Sequence, residues 1–113
     1  MKIHAPMLIL AFIFSNYAYA DCFKNQSGNV VCGKGHCESD QLGKVYCADA
    51  GGDAVRNSKG KVVCGKGNCE TDGLQKVWCS KEVGGGAAVN SNGKVVCLGG
   101  CEEASTDYCR EAQ

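Results

Sequence analysis

Cysteine supplies most of the reactive chemistry in this chain. Ten cysteines stand beside two histidines and a scatter of carboxylates. A cysteine can attack, bind metal or pair with another. A Cys-x4-Cys spacing links Cys32 to Cys37 and Cys64 to Cys69, and Cys97 to Cys101 is one residue shorter. That spacing would suit zinc. In a short exported chain with an even cysteine count, however, it reads as a disulfide framework. His36 sits in Gly33-Lys34-Gly35-His36, and the same slot further on is Asn68. It reads as an exposed turn residue, not a catalytic base. No Ser-His-Asp or Cys-His set accompanies it. Gly33-Lys34-Gly35 and Gly65-Lys66-Gly67 lack the longer glycine frame and the Lys-Ser/Thr pair of a phosphate loop. The acidic residues lack EF-hand spacing. The sequence therefore predicts no catalytic residues, metal or cofactor, and a non-enzymatic role.

One constellation carries a binding hypothesis. The residues before successive second cysteines alternate: Val31, Tyr46, Val63, Trp78, Val96, Tyr108. Strand register sets Phe23 against Val31, Val55 against Val63 and Ala88 against Val96. It sets Glu38 against Tyr46 and Glu70 against Trp78, with Glu102 near Tyr108. Valine faces should be buried, and acid–aromatic faces partly open. A sugar ring can stack on an aromatic while a carboxylate accepts from its hydroxyls, so Glu38/Tyr46, Glu70/Trp78 and Glu102/Tyr108 form a candidate multivalent surface. The competing role for the three aromatics is filling a small core.

The elements that would position these residues are repeats. Asn57-Ser58-Lys59-Gly60-Lys61-Val62-Val63-Cys64 recurs almost letter for letter at Asn90–Cys97 and more loosely at Asn25–Cys32. The sequence reads as an all-β, disulfide-rich domain over residues 21–113. Three tandem units of about 32 residues (22–50, 51–82 and 83–113) each hold two short hairpins. Asn25–Gly28, Asp40–Gly43, Asn57–Gly60 and Asn90–Gly93 fit a type I turn closed by a left-handed glycine, the G1-bulge loop. In Asp72–Gln75 a glutamine takes the glycine slot. From Asp40–Lys44 as a hydrogen-bonded pair, the ladder steps out to Cys37–Cys47 as a non-hydrogen-bonded pair, close enough for a bridge. The spacing thus predicts Cys22–Cys32, Cys37–Cys47, Cys69–Cys79 and Cys101–Cys109. Ala54 and Ala87 replace the first cysteine of two hairpins, which leaves Cys64 and Cys97 to pair with each other; the rival scheme joins the ends of each Cys-x4-Cys loop, beginning with Cys32–Cys37. Short glycine joints and few large apolar residues favour an elongated stack over a closed threefold body.

Residues 1–20 read as a secretory leader: Lys2, an apolar run from Ala5 to Phe14, then Ala18-Tyr19-Ala20 as the cleavage site. Ten apolar residues are too few to span a bilayer, which takes about 20. The chain is close to neutral, so neither nucleic acid nor an acidic membrane surface is an expected partner. The sequence predicts a secreted or periplasmic binding protein for an extracellular protein or glycan. The alternative is an antimicrobial, toxin-like or inhibitor protein, a class often marked by strong basicity or one exposed loop unlike its neighbours.

Overall fold

The computed structural model describes residues 21–112; the predicted leader lies outside them. The described residues form an all-β fold of short antiparallel ribbons held by five disulfides. Five hairpins follow in order: β1 (Asp21–Lys24) with β2 (Val30–Gly33), β3 (Cys37–Ser39) with β4 (Val45–Ala48), β5 (Asp53–Arg56) with β6 (Val62–Gly65), β7 (Cys69–Thr71) with β8 (Val77–Ser80), and β9 (Ala87–Val89) with β10 (Val95–Cys97). Each turn is built as its residues require. Asn57 Oδ1 accepts from the N–H groups of Lys59 and Lys61, and Gly60 closes the loop at φ 84°. Asn25, Asp40, Asp72 and Asn90 accept in the same way. Gln75 takes the left-handed position at φ 74°, where an L side chain is strained.

The register agrees with the spacing argument. Cys22 lies opposite Cys32, Cys37 opposite Cys47 and Cys69 opposite Cys79. Each pair is bridged, with Cα atoms 3.9–4.1 Å apart.

The hairpins stack face to face, and alternation along each strand decides which residues meet. Phe23 and Val31 pack on Cys37, Val45 and Cys47. Tyr46 and Ala48, on the other face of the second hairpin, meet Ala54, Val62 and Cys64. Val55 and Val63 then pack on Cys69, Val77 and Cys79. The fifth hairpin lies against the fourth, β9 beside β7 and β10 beside β8. The core is therefore a series of thin layers in which disulfides replace large side chains; Cys37, Cys64 and Cys79 are fully buried. This explains the Cys-Gly-Lys-Gly joints. A Cβ on Gly33 would stand 2.4 Å from Cys47 Cβ and Sγ, and one on Gly65 would stand 2.3 Å from the same atoms of Cys79. Only glycine lets the chain pass over the next bridge.

The sixth hairpin does not form. β11 (Cys101–Glu103) pairs with β8, and β12 (Cys109–Glu111) pairs with β4. Between them Ser105 bridges to Cys64, and Thr106–Tyr108 makes one 3-10 turn capped by Ser105. Residues 101–112 thus run back along the stack as a strap, from the fourth hairpin past the third to the second. Ala112 ends against the Cys37, Val45 and Cys47 cluster, which Phe23 and Val31 of the first hairpin also cover. The predicted bridges Cys64–Cys97 and Cys101–Cys109 are replaced by Cys64–Cys109 and Cys97–Cys101. The reason is geometric. Cys64 and Cys97 belong to the third and fifth hairpins, with the fourth between them, and packed sheets lie about 10 Å apart, so two layers exceed the ~7 Å Cα reach of a disulfide. The strap instead delivers Cys109 to Cys64, with Cα atoms 5.3 Å apart. Leu98 stands where Gly33 and Gly65 stand in the earlier joints, so no further bridge can lie against it in the same way. The Val96 face is accordingly open, not buried as predicted; Val96 is 56% exposed.

Candidate functional site

The strap turns two two-stranded hairpins into three-stranded sheets, and this builds the acid–aromatic sites. Tyr46 lies at the centre of β12-β4-β3, with Glu38 opposite on β3 and Glu111 opposite on β12. Trp78 lies at the centre of β11-β8-β7, between Glu70 and Glu103. Cross-strand neighbours share a face, so each aromatic is flanked by two carboxylates rather than one. Glu103 and Glu111 escape the hairpin argument because their partners are about 25 and 65 residues away along the chain, beyond the short-range turn logic that sets hairpin register. A faint signal exists: β11 and β12 both read Cys-x-Glu, and they take the same register on equivalent strands, Cys101 opposite Ser80 and Cys109 opposite Ala48.

The third predicted pair is not formed. Glu102 lies opposite Cys79, on the sheet face turned away from Trp78, and its Oε2 is buried with no hydrogen-bond partner among the described residues. Tyr108 belongs to the 3-10 turn and packs with Tyr46 on the cluster of Ala48, Ala54, Val62 and Cys64. The two residues therefore sit at different layers. Lys66 Nζ lies 5.7 Å from the Tyr108 ring centre.

Trp78 has the richest surroundings. It is half-buried, and Glu70 and Glu103 are exposed. Its indole N–H donates to Asp72 Oδ2 at 2.9 Å, and Lys76 Nζ lies 5.6 Å from its ring centre. The Asp72 carboxyl is held below the usual carboxylate range, first by the Lys76 backbone N–H and then by the Trp78 indole. Nearby, an open groove of about 250 Å³ runs between the tips of the third and fourth hairpins, with Ser58, Lys59, Leu74 and Glu103 on its walls. Leu74, at the fourth turn, is 88% exposed.

His36 joins layers. Its Nδ1 lies 3.0 Å from Asp21 Oδ2 and its Nε2 lies 4.0 Å from Asp53 Oδ1. Asp21 and Asp53 hold equivalent places, and each also accepts a cysteine N–H from the hairpin that follows, Cys37 and Cys69 respectively. The two carboxylates face different ring nitrogens, a linking arrangement rather than a chelating one. All ten cysteines are bridged. Among the described residues no group of three or more His, Cys, Asp or Glu side chains is placed to hold a metal ion. No protein-family model, curated protein or solved structure matches the chain.

Proposed function

We propose that this is an exported, non-enzymatic binding protein that takes a carbohydrate at the Glu70–Trp78–Glu103 edge. The observation that carries the reading is the half-buried indole set between two exposed carboxylates on one sheet face. Hydroxyls of a sugar would donate to Glu70 and Glu103 while its apolar face meets the ring. Lys76 lies over that ring, but it is exposed, and such a contact is worth only about 0.5–1 kcal/mol, so a ligand displaces it at small cost. The Tyr46 site is a weaker second copy, because Tyr46 also serves the core. Export is supported by the leader-like residues 1–20 and by the bridged cysteines, which persist in oxidising compartments. Trp78 is the sole tryptophan, so its fluorescence reports directly on the site. A glycan array followed by fluorescence titration should give saturable binding that Glu70→Gln and Glu103→Gln abolish without lowering Tm. Absence of saturable binding across the array would overturn the reading.

A second reading rests on the Asp72–Gln75 turn, which presents Leu74 almost fully exposed and closes on a non-glycine residue. A single loop unlike its neighbours is what an inhibitor would present. Slowed hydrolysis in a protease panel, lost in Leu74→Ala, would favour it over sugar binding.

A further inference from the structure

The stack ends in two open faces, and each is of a kind that is buried elsewhere in the molecule. Inside the stack, the Phe23/Val31 face covers the Cys37–Cys47 bridge with Val45, and the Val55/Val63 face covers the Cys69–Cys79 bridge with Val77. Val45 and Val77 are 4% and 5% exposed. At one end, the first hairpin offers the Cys22–Cys32 bridge with Val30, which is 66% exposed. At the other, the fifth offers Ala88, Val96 and Leu98, with the last 62% exposed. The open faces thus resemble the two halves of a joint that the chain makes twice, with Leu98 in place of its glycine and Lys24 in place of Ser39 or Thr71.

We propose that a second copy of this chain docks there, its first hairpin stacking on the fifth hairpin of the copy before it. Such a contact joins unlike surfaces and leaves one free face at each end, so it propagates as a linear rod and does not close. Leu98 sets its strength. In the internal joints the matching position is Gly33 or Gly65, where even a Cβ would meet the next bridge. Leu98 therefore holds the incoming hairpin outward, and the interface is one hairpin face wide. That is well under the roughly 1,000 Å² of a stable complex, so the rods are reversible and form at high concentration.

Sedimentation of the exported, processed protein from micromolar to millimolar concentration tests this. The weight-average mass should rise about twofold near a dissociation constant on the millimolar scale. Val96→Asp and Val30→Asp should each abolish the rise. Both positions are exposed, so both variants should keep the parent Tm. An equimolar mixture of the two should form dimers and nothing larger, because each variant retains one good face. Leu98→Gly should strengthen association. A mass that stays monomeric throughout overturns the proposal. Association that survives Val30→Asp does the same, because it would mean like faces meeting or a contact elsewhere.

Discussion

Removing the Cys64–Cys109 bridge tests the strap most severely. It closes 45 residues, against 4 for Cys97–Cys101. Loop-closure entropy predicts about 4 kcal/mol for the long loop and about 2 kcal/mol for the short one. Cys64 is also fully buried, so its truncation adds a cavity penalty to the first figure. Guanidinium unfolding of C64A/C109A and C97A/C101A should therefore place the first well below the second. The same loss should reach the strap's own hydrogen bonds. Ser105 N–H donates to Cys64 O, Ala104 N–H to Val77 O and Ala112 N–H to Val45 O. In C64A/C109A these amides should exchange faster than those within the first, second and fourth hairpins, whose local bridges persist. If C64A/C109A proves no less stable than C97A/C101A, or its strap amides keep their protection, the bridge does not clamp the stack.

Three further outcomes follow from the packing and the turns. Gly65→Ala should destabilise by about 1–3 kcal/mol, as overpacking does, because its Cβ would stand 2.3 Å from Cys79 atoms. Gly86→Ala, with open space around it, should stay within roughly 0.5 kcal/mol; thermal melts compare them. Gln75→Gly should stabilise by roughly 0.5–1 kcal/mol, since relief of the left-handed strain exceeds the entropy glycine adds to the unfolded chain; the same melts measure it. For Asp72, the folded carboxyl titrates below its ordinary value of 3.8. Its contribution is fully present above the unfolded-state pKa and is lost as pH falls through the lower folded value. Acid titration of Trp78 fluorescence should show a transition below 3.8 that Asp72→Asn removes.

The local half of this fold was legible in the sequence, because its information is local. An Asn or Asp at the first turn position and a glycine at the fourth fix the loop, the loop fixes the register, and register brings Cys37 to Cys47 and Glu38 to Tyr46. The strap was not legible in the same way. Pairing β12 with β4 is a choice between distant edges that no turn dictates, and it alone decides that Cys64 meets Cys109 and that Glu111 joins Tyr46. Three departures in the last repeat marked the place. Leu98 replaces a joint glycine, the Cys97–Cys101 loop is one residue shorter, and the Cys101–Cys109 interval holds no turn glycine. Together they say that the hairpin pattern stops there.

The C-terminal strap returns along the stack and is bridged into its middle. Trypsin alone cannot test it, because Cys97, Cys101 and Cys109 share the segment Val95–Arg110. Unreduced digestion with trypsin and a glutamate-specific protease cuts after Glu103 and separates them. Ala104–Arg110 should be recovered bound only to Val62–Lys66, while Val95–Glu103 carries an internal bridge. Recovery of all three segments bound together, as Cys64–Cys97 with Cys101–Cys109 would require, would contradict it.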